Sequence, residues 1–391
     1  MAFMPSPECR YSVMKNVKTY LLYCILFFLG FEAGSFQWSV SKIAMRFGLS
    51  ATKAGLLVSI QYAAMIAAGL FSGLVFDFFS RNKAILIGMA LFSMGCIFIT
   101  IANESLLALL IGTIGFGYSF TETAVTAELS DLPKGEQMIQ FSQTFFCIGA
   151  FLSPLIMERI GSSYQLAFLI PGFLSIPGIV FFLTLPNTEY RNIKRESNIS
   201  KGEKIIRFPV SLLLLMLIFF LYGSIENGSA YNMTDLFANE SHKSFGAYAL
   251  SLYWLGMAIG RLAAALRERS MRLTYGYFGL TICLGALALQ QGGLFSLLFA
   301  MLLGLFCAPL WGQIMSDAAG KMPEYRGTVV GVVGIMSCLG GTSAPTILGL
   351  AKDYISGTAP FWILTGFALF GCVLCIAEEK VTRKEMTDDL Y

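Results

Sequence analysis

Phe27-Phe28-Leu29-Gly30-Phe31-Glu32-Ala33-Gly34-Ser35 and Phe219-Phe220-Leu221-Tyr222-Gly223-Ser224-Ile225-Glu226-Asn227-Gly228-Ser229 are two apolar runs, each interrupted by one glutamate and a tail of small residues. Both lie in hydrophobic stretches of about 20 residues, the length a helix needs to cross about 30 Å of hydrocarbon. An ionisable group there costs on the order of 2.5–3.5 kcal/mol on insertion scales, so it persists only with a partner, a water-filled cavity or a role. Two extra residues in the second copy bring Glu32 to Gly34-Ser35 onto Glu226 to Gly228-Ser229. Downstream, Ser59 falls on Ser251, Met65 on Met257 and Leu70 on Leu262 at a constant offset. An early segment is thus echoed by one near the middle of the chain. Such a repeat describes parallel halves related by an axis along the membrane normal, with a solute site expected between them.

Composition agrees with a membrane protein. Of 391 residues, 56% are hydrophobic and 13% charged, and the mean hydropathy is +0.68, which leaves too little polar surface for a soluble chain. Twelve spanning runs are expected, near 20–38, 54–76, 83–102, 105–127, 139–157, 163–185, 209–230, 245–266, 273–290, 293–316, 327–351 and 359–378. They predict an all-α integral membrane fold, because helices satisfy their backbone groups internally and the alternation of barrel strands is absent. The expected domains are an N-terminal six-helix bundle over 1–190, a polar cytoplasmic linker over 191–208 and a C-terminal six-helix bundle over 209–391. Placing both termini in the cytoplasm puts twenty of the 27 lysines and arginines on that side, as the positive-inside rule requires. The expected setting is therefore the cell membrane, crossed many times.

The loop after the second run, Gly73-Leu74-Val75-Phe76-Asp77-Phe78-Phe79-Ser80-Arg81-Asn82-Lys83, resembles the major facilitator superfamily signature G-x-L-x-D-R-x-G-R-K. Gly73, Asp77 and Arg81 match it, while Val75, Phe78, Ser80 and Asn82 depart from it. Twelve spans, a central linker and two echoing halves extend the resemblance over essentially the whole chain. It implies two pseudo-symmetric six-helix bundles, with Asp77 and Arg81 as gating or ion-pair residues. Within the superfamily, Gly115-Phe116-Gly117 followed by Glu122-Thr123, and Gln143-Thr144-Phe145 followed by Gly149-Ala150, resemble the fucose permease branch of sugar:proton symporters. That resemblance implies that Glu122 gains and loses the coupling proton and that Gln143 contacts the solute. Tyr222-Gly223 with Glu226 is similar to a pattern in neighbouring members of the branch. One departure is clear: Gln37 stands where the permeases carry a second functional aspartate, and Glu32 lies more than one turn earlier. Drug antiporters differ more: Ile111 stands where they carry an arginine, and their G-x-x-x-G-P motif is one residue short here, with Gly149 and Pro154 kept and Ser153 in place of the second glycine.

Independently of any family, Glu122 is the best coupling candidate, because a carboxyl group is neutral in a dry cavity and ionised where water reaches it. Glu32 and Glu226, flanked by glycines in the outer halves of their helices, are further proton-coupling or packing candidates. Arg261 either snorkels toward Arg267 and Arg269 or forms an ion pair inside the membrane. Gln37, Tyr62, Gln143, Asn227 and Gln313 are the candidate solute contacts, offering amides and a ring to a polar solute such as a sugar. One histidine, His242, argues against His-based metal sites, and no G-x-x-x-x-G-K-[ST] loop supports an ATP-driven pump. No enzyme chemistry, cofactor, metal or nucleic-acid partner is expected; the partners are the lipid bilayer and a small polar solute, the coupling ion is H+, and the chain is expected to act as a monomer. The leading function is proton-coupled uptake of a monosaccharide or similar solute. Its rivals are a drug or metabolite efflux antiporter and a membrane sensor that binds without transport.

Overall fold

Gly48, at φ +64°, ends a first helix of 41 residues. Left-handed backbone is the usual conformation of the glycine that closes a helix, and Leu49 N–H reaches back to Ala44 O at 2.9 Å. In the computed structural model, residues 7–75, 80–132, 135–161, 163–184, 208–237, 245–266, 272–290 and 294–388 are described. They form α1 (Pro7–Phe47), α2 (Ala51–Val75), α3 (Arg81–Phe98), α4 (Glu104–Ser130), α5 (Gly135–Ile160), α6 (Tyr164–Leu174), α7 (Ile176–Thr184), α8 (Val210–Met233), α9 (Phe245–Leu266), α10 (Leu273–Gln290), α11 (Leu294–Lys321), α12 (Arg326–Tyr354) and α13 (Ala359–Asp388). Each expected run corresponds to helix over its described residues, the third ending in a short 3-10 turn at Ile99–Ile101, and the described residues contain no strand.

Two differences from the sequence expectation stand out, the first with a local cause. The sixth run is two helices, broken at Ser175, because Pro177 has no N–H to continue the ladder. Ser175 itself closes the break, its N–H bonding Pro171 O at 3.1 Å and its hydroxyl Gly172 O at 2.7 Å. The end helices also run well past hydrocarbon length, α1 beginning at Pro7 and α13 continuing to Asp388. Among the described residues, eleven helical segments, one of them α6 with α7, are long and apolar enough to span a membrane. The remaining long helix, α9, carries Arg261 in its apolar run.

Close helix contacts repeat between the first and second groups of helices. A Cβ on Gly30 of α1 would strike Phe146 O, and one on Gly149 of α5 would strike Phe27 O. The same reciprocal contact joins α8 and α12, where Gly223 faces Ser337 O and Gly340 faces Phe220 O. In a bilayer, helices gain little from the hydrophobic effect and associate through such close packing. Within residues 7–184, α1 lies on α5 and α4 lies on both α2 and α3; within 208–388, α8 lies on α12, α9 on α11 and α10 on α13. Across these two groups α2 runs along α12 and α5 along α9. Large apolar side chains such as Leu109, Phe278, Leu289 and Val373 remain exposed on the outside, which suits contact with lipid chains rather than water.

Candidate functional site

The paired helices α2–α12 and α5–α9 leave a cavity of about 1840 Å³ between them. It is sealed at one end. There the first N–H groups of α2 have no partner within their own helix, and Asp353 of α12 supplies it: Ala51 N–H and Thr52 N–H donate to its carboxylate at 3.0 and 2.8 Å, and the Thr52 hydroxyl at 2.6 Å. Gly55 packs against Pro345 O and Gly349 against Ala51 O. Ser59 and Thr346 share a hydrogen bond at 2.7 Å, and beside this seam, within the second group, Lys352 pairs with Asp235. At the other end the lining includes Ser130, Ile139, Gln140, Leu266 and Gly331, which sit at the α4–α5, α9 and α11–α12 ends.

Glu122, Glu226 and Arg261 are the charged groups among the described lining residues. They form one chain across the cavity. Gln143 of α5 donates through Nε2 to Glu122 Oε1 of α4 at 3.3 Å. Arg261 of α9 donates through Nη1 to Gln143 Oε1 at 3.1 Å and approaches Glu226 Oε1 of α8 at 3.6 Å through Nη2. Arg261 thus makes the ion-pair alternative, and the snorkelling alternative does not apply. Its side chain is 14% exposed and that of Glu226 15%, so each charge sits in mostly dry surroundings with its partner, as a buried pair must.

The other candidates divide. Gln37, Tyr62, Asn227 and Gln313 all line the cavity with Gln143. Three of them also tie the two helix groups together: Tyr62 of α2 donates to Asn227 Oδ1 of α8, whose Nδ2 bonds Gly223 O at 2.9 Å, and Gln37 accepts a bond across the groups. Trp254 of α9 donates its indole N–H to Gln37 Oε1 of α1 at 2.8 Å. Gln313 Nε2 is bonded to Asp317, one turn on, at 2.8 Å. Glu32 is not among the cavity's lining residues and is fully buried. Its Oε1 accepts from Gln61 at 3.3 Å, Gln61 in turn accepts from Tyr231 of α8 at 3.2 Å, and its Oε2 has no partner. Of the loop pair, Arg81 bonds Ala127 O at 2.9 Å and pairs with Asp131, while Asp77 and His242 lie outside the described residues.

Several groups were not singled out from sequence. Asp353 stands just past the expected end of its span and reads as a solvated loop acid. Glu128, which pairs with Lys18, and Glu378, 2.7 Å from Lys321, read as ordinary terminal charges. The only sequence signal for Gln313–Asp317 is their spacing of four, which places them on one helix face.

Comparison with known proteins agrees with this architecture. The sequence profile of the Major Facilitator Superfamily matches residues 22–345. The glucose/mannose transporter GlcP of Bacillus subtilis (strain 168) is 20% identical over 83% of this chain and 86% of its own. Among solved structures, a single-residue mutant of the nucleoside transporter NupG superposes with a TM-score of 0.77 at 12% identity, covering 92% of this chain and 99% of that one. An inward-open structure of the xylose transporter XylE from E. coli gives 0.75 at 14% identity, covering 92% and 95%. A multi-pass helical bundle, two tightly packed helix groups around one cavity, and a family match over most of its length identify this chain as a transporter of the Major Facilitator Superfamily.

Proposed function

We propose that the protein takes up a monosaccharide or a similarly polar small solute together with a proton. It does so by alternating access, rocking bundles 1–190 and 209–391 about the cavity, in a cell membrane with both termini cytoplasmic. The observation that carries this reading is the chain Glu122–Gln143–Arg261–Glu226, which links a cavity-facing carboxyl group of the first group of helices, through Gln143, to Arg261 and Glu226 of the second. In the orientation expected from the lysines and arginines, the sealed end faces outward and the cavity opens to the cytoplasm. That is the releasing state of an importer.

The chemistry follows from the groups present. In the outward-open state a proton and the solute enter together, Glu122 holding the proton and Gln143 an oxygen of the solute. A neutral carboxyl tolerates the dry, closed intermediate that an ionised one would oppose. When the inner side opens, water favours the ionised form, the proton leaves, and the charge on Glu122 draws on Gln143 and, through it, on Arg261. Trp254, Tyr118 and Phe146 add flat apolar faces beside the amides, the combination that suits a sugar ring. The sugar-transporting names of GlcP and XylE support the same solute class.

The test is uptake of D-glucose, D-mannose and D-xylose by cells making the protein, with and without a proton gradient. Accumulation that collapses when the gradient is dissipated is expected. Uptake insensitive to the gradient removes proton coupling, and no uptake of any of these sugars removes the solute class.

A further inference from the structure

We infer that Trp254 is a positioning residue that competes with the solute for Gln37, so that the site holds its solute less firmly when the outer end is sealed. This rests on the import reading above and assigns a specificity device to the same cavity. An indole N–H buried away from water needs an acceptor. Trp254, 5% exposed, finds it at Gln37 Oε1, 2.8 Å away on α1, a helix of the opposite group.

Three features set this bond apart from ordinary packing. It crosses between the two helix groups, as Tyr62–Asn227 also does, from the halves of α1 and α9 that lie toward the sealed end, so separating the groups there breaks it. The Trp254 ring lies edge-to-face on its neighbour Tyr253 at 5.6 Å and, across the two groups, on Phe146 of α5 at 5.7 Å, so with the outer end sealed the indole N–H is aimed at Gln37. Gln37, only 2% exposed yet on the cavity wall, has little room to offer the second lone pair of its oxygen elsewhere.

The consequence is a change in what Gln37 offers. With the outer end open, both the oxygen and the N–H2 of its amide are available to a solute hydroxyl, which donates and accepts. With the outer end sealed, Trp254 occupies the oxygen and only the amide donors remain. One solute hydrogen bond is thereby exchanged for a protein one as the halves close, which favours release on the opposite side.

The test compares KM for the transported sugar from the two faces, using intact cells for the outer face and inverted membrane vesicles for the inner, with D-glucose, D-mannose and D-xylose as probes. Trp254→Phe keeps the ring on Phe146 but removes the donor. It should lower the ratio of inner to outer KM by roughly three- to tenfold, the worth of one net hydrogen bond. The same substitution in a Gln37→Met background should leave the ratio unchanged, since the two residues act as a unit. Gln37→Asn, with an amide too short to reach Trp254, replaces that background if it carries too little flux. An unchanged ratio in Trp254→Phe, or an equal change in both backgrounds, overturns the inference while leaving import intact. Absence of sugar uptake by the unaltered protein overturns the import reading itself, and this inference with it.

Discussion

Replacing Glu122 by glutamine should separate transport from its driving force. The substitution keeps side-chain length and a carbonyl oxygen, so Gln143 Nε2 retains its acceptor, now at 3.3 Å. The Arg261–Gln143 bond at 3.1 Å is untouched, and the Arg261–Glu226 approach remains. What is lost is the ability to take up and shed a proton. Moving one charge across 100 mV is worth about 2.3 kcal/mol, and about 1.4 kcal/mol is a factor of ten. A one-proton importer can therefore hold its solute roughly 50-fold concentrated per 100 mV. Glu122→Gln should bring that ratio to about one, while exchange of labelled for unlabelled sugar across the membrane continues. The assay is radiolabelled sugar in proteoliposomes with an imposed potential and, separately, with equal sugar on both sides. Undiminished accumulation by Glu122→Gln would refute the reasoning and move coupling to Glu226 or Glu32.

Other substitutions probe the surrounding structure. Arg261→Met leaves Glu226 buried without its partner, which should cost about 3 kcal/mol and lower the melting temperature in detergent; adding Glu226→Gln should recover most of the loss. Gly149→Val drives a side chain into Phe27 O and should abolish folded protein, as read by size-exclusion chromatography, whereas Gly366→Ala, with open space around it, should be tolerated. Asp353→Ala removes the acceptor at the start of α2 and should favour the outward-open state. Faster labelling of Val58→Cys by a membrane-impermeant thiol reagent from the outside would show it, compared with the same Val58→Cys chain retaining Asp353.

The spans, their repeat and the cavity acid were legible because charge is rare in hydrocarbon. One glutamate in the run around Gly115–Thr123 has few physical explanations, and the structure sets it on the cavity wall. Arg261 was legible as an intramembrane charge, but its partner was not, since either glutamate of the repeat would have served. The repeat itself misleads at Glu32. It aligns with Glu226, yet Gln61 of α2 holds it in a fully buried layer, whereas Glu226 meets Arg261 beside the cavity. Sequence symmetry records common helix packing, not which side chain the neighbouring helix presents. Asp353 was illegible for a different reason: its partner is the backbone of a helix some 300 residues away, and backbone donors leave no trace in residue type. The break at Ser175 was within reach, because Pro177 inside an apolar run marks a lost hydrogen bond.

The central claim is that sugar and proton cross together through this cavity, and the most direct measurement is the pH of lightly buffered medium around proteoliposomes when a monosaccharide is added with no other gradient present. The account predicts that the medium turns alkaline as protons follow the sugar inward, and that Glu122→Gln vesicles give no such change while still exchanging sugar. Sugar entry with no movement of protons in the unaltered protein would contradict it.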